Sequence, residues 1–75
     1  MENLTIIAQL DKSLPVAFGR TEVEKLLPGI ISSKALANLS SAGEGPPSYR
    51  HGRKICYEKA SFLAWLSKRV KRVEM

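Results

Sequence analysis

Val23, Leu26 and Leu27 recur at i, i+3 and i+4 and so share one face of a helix. Thr21-Glu22-Val23-Glu24 ahead of them has the S/T-x-x-E pattern of a capping box, in which the Thr21 hydroxyl accepts from the Glu24 amide and the Glu24 carboxylate reaches back. Pro28-Gly29 ends this short helix, because proline cannot continue the hydrogen-bond ladder and glycine permits the turn. After a gap of about four residues, Ser32 or Ser33 caps a second helix that runs through Ala42, with Gly43 as its stop. Two helices this close fit the tight turn of a helix-turn-helix. Ala35, Leu36 and Leu39 form the apolar stripe of the second, which leaves Ser33, Lys34, Ala37, Asn38 and Ser41 on its other face.

Gly43-Glu44-Gly45-Pro46-Pro47 predicts a stiff, irregular connector, since each proline fixes its own backbone and extends the residue before it. Tyr49-Arg50 and Lys54-Ile55-Cys56-Tyr57 then flank His51-Gly52-Arg53, a hairpin pattern in which Gly52 supplies the positive φ of a tight turn. Such a ribbon needs a supporting neighbour. A last helix starts between Glu58 and Ser61 and carries Phe62, Trp65, Leu66, Arg69, Val70 and Val73 at helical spacing, with Leu63 beside the stripe and fraying expected after about Lys71. Residues 1–13 predict a partly extended lead-in that packs Leu4, Ile6 and Ile7 on the body, and residues 14–75 form the domain. The fold class expected is mainly α with a small β-hairpin, built from three helices and two strands.

Length and composition narrow the class. A chain of 75 residues makes one domain, and at this size only about 60% of the unfolded surface is buried. With 44% hydrophobic and 25% charged residues the composition is that of a folded globule. Cys56 is the single cysteine, so no internal disulfide can form, which points to a reducing cytoplasm. The opening Met1–Ala8 segment has an acidic residue where a signal peptide carries a basic one, and its apolar run is short, so neither export nor membrane insertion is expected. The net charge of +5 is unevenly distributed. Residues 1–42 hold four cations against four anions, while residues 43–75 hold eight cations against three anions and therefore the whole excess. That asymmetry suits a polyanion-binding face, and equally a solvated basic surface.

Taken in order, Ile31 to Leu39, Gly43-Glu44-Gly45-Pro46-Pro47, Tyr49-Arg50-His51-Gly52-Arg53-Lys54-Ile55-Cys56-Tyr57 and Phe62-Leu63-Ala64-Trp65-Leu66 resemble the excisionase-type, MerR-like winged helix-turn-helix family. This family includes phage and prophage excisionases and AlpA-like regulators, and the likeness covers roughly residues 14–70. The resemblance implies a winged helix-turn-helix fold, with the second helix in the DNA major groove and the hairpin as the wing. It implies that Ser33, Lys34, Ala37 and Asn38 face DNA and that Arg50, His51, Arg53 and Lys54 form the wing. The chain departs from the family's commoner pattern at Asn38, often an arginine, and at Ala37, often a larger residue. Its recognition helix is poor in cations, so affinity would lean on the wing.

The side chains have chemistry to match. Lysines and arginines give affinity by releasing counterions from phosphates, a role suited to Arg53 and Lys54. Asn38 can pair bidentately with adenine, and Lys34 can reach guanine or a phosphate. Arg50 and Arg53 could enter a narrow A·T-rich minor groove. Lys68, Arg69, Lys71 and Arg72 are candidate phosphate contacts that also favour the helix macrodipole, and a charged helix end is equally often just solvated. Asn38 and the hairpin charges have the same plain alternative. Phe62 and Trp65 read as packing residues, while Tyr49 suits either packing or base stacking. One histidine and one cysteine, His51 and Cys56, fall short of the four ligands of structural zinc, so no metal and no cofactor are expected. No nucleophile motif, phosphate-binding glycine loop or carboxylate pair indicates an enzyme.

The sequence thus points to a small DNA-binding protein of a phage or mobile element, acting in DNA recombination as an excisionase-like architectural factor or in transcription regulation. Its expected partner is double-stranded DNA, with an integrase or another protein and self-association on DNA as further candidates, and no membrane. Two alternatives stand beside this reading. One is a protein-interaction module that uses the Leu/Trp helix and basic end to hold an acidic partner, and the other is the DNA-recognition domain of a phage packaging protein.

Overall fold

The computed structural model describes the backbone of residues 3–70 and the side chains from Ile6 to Val70. Among the described residues, four helices and one antiparallel sheet of three strands make a small mixed α/β domain. In chain order they are α1 (Asn3–Ser13), β1 (Ala17–Gly19), a 3-10 turn (Arg20–Glu22), α2 (Val23–Leu26), α3 (Ser33–Ser41), β2 (Tyr49–His51), β3 (Lys54–Glu58) and α4 (Lys59–Ser67). The expected three helices and two strands are each short by one.

The lead-in, expected to be partly extended, is helical. On α1, Ile7 and Leu10 are partly buried at i and i+3 and point toward the core, which Leu14 joins just beyond the helix end. The helix packs along α4. There the Lys59 ammonium donates to the Asp11 carbonyl at 3.0 Å and pairs with its carboxylate at 3.3 Å. An isolated segment of 11 residues is marginal as a helix in water, so this long-range docking holds it. The side chain of Leu4 lies outside the described residues, as do Lys71, Arg72 and Val73.

The extra strand, β1, pairs antiparallel with β3, Phe18 lying opposite Tyr57, so β3 is central in the order β1-β3-β2. The Lys59 amide donates to the Val16 carbonyl at 2.8 Å and carries the pairing one step further. Three residues are too few to show an alternating pattern, and β1 exists because β3 offers it an edge.

The capping expected at Thr21 sits two residues earlier. Glu22 accepts from the Gly19 amide at 2.8 Å, the chain makes one 3-10 turn, and α2 begins only at Val23. The turn to α3 spans Leu27–Ser32, longer than the expected four residues because α2 ends at Leu26. Ser32 caps α3, its hydroxyl accepting from the Ala35 amide at 3.1 Å. At the other end Gly43 takes φ +76°, its amide donates to Ser40 at 3.0 Å, and the Glu44 amide donates to Leu39 at 2.8 Å, which is a complete Schellman motif. The connector then runs close over this helix end. A Cβ at Gly45 would meet the Ser40 backbone at 3.2 Å, so only glycine lies comfortably there.

Strands β2 and β3 join through Gly52-Arg53, with His51 opposite Lys54. Gly52 has φ +66°, and among the described residues only glycines take positive φ, which leaves Arg53 at negative φ and corresponds to the type II′ turn favoured in two-residue hairpins. Helix α4 starts at Lys59 and ends at Ser67, short of the expected Lys71. Its last turn tightens, the Lys68 and Arg69 amides donating to Trp65 and Leu66 at 3.2 and 2.9 Å, three residues back.

The core draws on β1, α2, α3, β3 and α4 and on the residues just after α1 and α2: Leu14, Phe18, Val23, Leu27, Leu36, Tyr57, Phe62, Leu63 and Leu66 are buried. Phe18, Tyr57 and Phe62 form a triangle with centroids 5.1 to 5.9 Å apart, in tilted and edge-on contact. This aromatic cluster welds the sheet to α4.

Candidate nucleic-acid interface

Helices α2 and α3 are fastened to each other by one carboxylate. Glu24, on α2, accepts from the Ser33 amide at 2.9 Å and from the Ser33 hydroxyl at 3.0 Å. It therefore satisfies a donor at the start of α3 that has no partner within the helix. These two bonds, the amide first, hold the Glu24 carboxyl below its ordinary value. Ser33 is half-buried and engaged by Glu24, and Ala37 is half-buried as well. Lys34, Asn38 and Ser41 are exposed. Of the four α3 residues expected to face DNA, Lys34 and Asn38 are thus the ones presented to solvent.

The wing residues Arg50, His51, Arg53 and Lys54 are all exposed. Strand alternation divides them. Arg50 lies opposite Ile55, which shares its face with buried Tyr57 two residues on, so Arg50 belongs to the core-side face of the ribbon. His51 lies opposite Lys54 on the other face, with Tyr49, which is 56% exposed, and Cys56. Arg53 occupies the turn. The exposure of Tyr49 leaves its ring unused by the core. The Cys56 thiol donates to the Tyr49 carbonyl at 3.6 Å, and among the described residues no three His, Cys, Asp or Glu side chains gather as a metal site would need.

A cation to which sequence reasoning gave no role lies next to the wing. The 3-10 turn Arg20–Glu22 packs against both α3 and β3, and so sits between the helix and the hairpin. The Arg20 Nε donates to the Tyr57 hydroxyl at 2.8 Å, with its guanidinium carbon 5.9 Å from the ring centre. Arg20, Thr21, Arg53 and Lys54 line one surface cleft of about 210 Å³, completed by Gly19 and Ile55. No local pattern could have signalled this, because Arg20 and Arg53 meet only through the β1–β3 pairing.

At the end of α4, Lys68 and Arg69 are exposed, and Arg69 stacks over the Trp65 ring at 5.1 Å. Trp65 is half-buried against Phe62, and its indole N–H donates to the Glu44 carbonyl at 3.0 Å, tying the connector to α4. Among the described residues no helix is long and apolar enough to cross a membrane. Comparison with protein-family models, with curated proteins and with solved structures finds no match to this chain.

Proposed function

We propose that the chain binds double-stranded DNA as a winged helix-turn-helix protein of the excisionase-like kind, serving as an architectural factor or transcriptional regulator. In this reading α2 and α3 are the helix-turn-helix, α3 enters the major groove with Lys34 and Asn38 toward the bases, and the β2–β3 hairpin is the wing. Arg50, His51, Arg53 and Lys54 then follow the backbone or the adjacent minor groove. The observation that carries the reading is the pairing of a polar, solvent-facing α3 with an exposed cationic hairpin, joined by the short 3-10 turn that touches both. The Glu24 clamp on Ser33 supports it too, since a recognition helix must be held at a fixed angle to its partner. A protein-interaction role for the Leu/Trp helix has less support, because Phe62, Leu63 and Leu66 are turned into the chain's own core.

Selection from a random duplex library, followed by anisotropy on the enriched sites over a salt series, tests the proposal. Enrichment of a short motif is expected. Arg53→Ala or Lys54→Ala should lower the log–log salt slope by about 0.9 for each phosphate left without its cation. Asn38→Ala should relax preference at one base pair, a loss of about 1–3 kcal/mol of discrimination. Absence of binding at low salt would overturn the reading.

A further inference from the structure

We infer that the cleft between the 3-10 turn and the hairpin is a phosphate seat, in which Arg20, Arg53 and Lys54 close around one phosphate group with Thr21 as a neutral donor. On the DNA-binding reading that group is a backbone phosphodiester lying between the helix and wing contacts, and in this respect the inference rests on that reading.

Three features of the cleft lead to phosphate. Three of its six lining residues, Arg20, Arg53 and Lys54, are cationic and none is acidic, although Glu22 lines the adjoining cleft that shares Gly19, Thr21 and Lys54. Uncompensated like charges brought together cost energy unless an anion joins them. The nearest acid in sequence, Glu22, has a carboxylate oxygen committed to the Gly19 amide at 2.8 Å. Two of the three cations are arginines, whose planar forks match the tetrahedral oxygens of phosphate, and the third is a lysine, which acts as a point charge.

Arg20 is also prepared for the role. Its Nε bond to the buried Tyr57 hydroxyl and its position beside that ring fix the guanidinium, while the terminal amino groups take no part in that bond. A held guanidinium loses less side-chain freedom on meeting a ligand than a free one. At about 210 Å³ the cleft has room for a phosphate and part of its water shell. The 3-10 turn that forms one wall contacts both α3 and β3, so the cleft lies beside the proposed recognition helix and the proposed wing.

The test uses the full chain and two probes. In the first arm, a short fluorescent duplex is titrated over a salt series. Arg20→Gln is expected to weaken binding several-fold on every duplex sequence and to lower the salt slope by about 0.9, while Arg20→Lys keeps the slope. Lys54→Gln repeats the measurement without disturbing the Tyr57 bond, and a thermal melt of each variant checks that it folds. Wild-type binding with an unchanged slope in both Gln variants overturns the phosphate seat and leaves the DNA reading intact. In the second arm, sodium phosphate is compared with sodium chloride at equal ionic strength by 1H–15N spectroscopy. Saturable shifts at the Arg20 Nε–H and at the Gly19, Thr21, Arg53 and Lys54 amides with phosphate alone support the seat. If the wild type binds no duplex, the DNA reading fails, and the phosphate arm then decides: shifts at these groups assign the cleft to free phosphate, and their absence overturns it.

Discussion

Replacing Tyr57 with phenylalanine removes one oxygen from the core and leaves the rest in place. Tyr57 is 1% exposed, and its ring lies 5.9 Å from Phe18 and 5.5 Å from Phe62, contacts a phenylalanine ring reproduces. What disappears is the 2.8 Å bond from the Arg20 Nε. A hydrogen bond to a charged group contributes about 1.5–3 kcal/mol. Arg20 is half-exposed, so water can take over its Nε, and the cost should fall near the lower bound, at about 1–1.5 kcal/mol. In a domain of 75 residues, each kcal/mol moves Tm by about 4–8 °C. Tyr57→Phe should therefore melt about 4–12 °C below the wild type. Tyr57→Ala opens a cavity of the kind that costs about 3–5 kcal/mol, comparable with the whole stability of so small a domain, and should abolish a cooperative melt. The decisive assay is a double-mutant cycle with Arg20→Met by circular dichroism in urea, where a coupling of about 1 kcal/mol is expected. Additivity within about 0.3–0.5 kcal/mol would refute the claim that the Tyr57 hydroxyl holds Arg20.

Two further outcomes follow from the same set of bonds. Because the Ser33 donors hold the Glu24 carboxyl below its ordinary 4.5, the clamp's stabilisation is complete above that value and disappears as pH falls through the lowered folded value. Glu24→Gln should flatten the acid limb of Tm against pH, and a limb identical to that of the wild type would show that the clamp is not formed in solution. Trp65→Ala removes a half-buried ring and the indole bond to Glu44, a loss of about 2–3 kcal/mol, less than for a fully buried tryptophan. A melt within a few degrees of the wild type would show that α4 does not anchor the connector.

Sequence alone determined the parts that depend on near neighbours. A serine cap for α3 at Ser32 or Ser33, of which the structure uses Ser32, Gly43 as its end, Gly52 in the hairpin turn and the apolar spacing of Val23, Leu27, Leu36, Phe62 and Leu66 all follow from local stereochemistry and period. Exposure of Lys34, Asn38, Arg53 and Lys54 was legible for the same reason, since they fall opposite the apolar positions of their own elements or in the turn, whereas Arg50 is exposed although it shares a face with Ile55 and Tyr57. Tertiary structure decided what depends on distant partners. The lead-in has a pattern too weak to choose a conformation, and Asn3–Ser13 becomes α1 because α4 and Lys59 receive it. Three residues at Ala17–Gly19 become a strand because β3 has an open edge. Glu24, expected to cap its own helix, instead reaches Ser33 nine residues on, once the turn between α2 and α3 folds back. Arg20, in the electrically neutral part of the chain, comes beside Arg53 and Lys54 for the same kind of reason. Charge along a sequence gives a sum for each segment, but which charges share a surface is set by strand pairing, and that pairing is stabilised by the buried Phe18, Tyr57 and Phe62 rings rather than by anything local to the charges themselves.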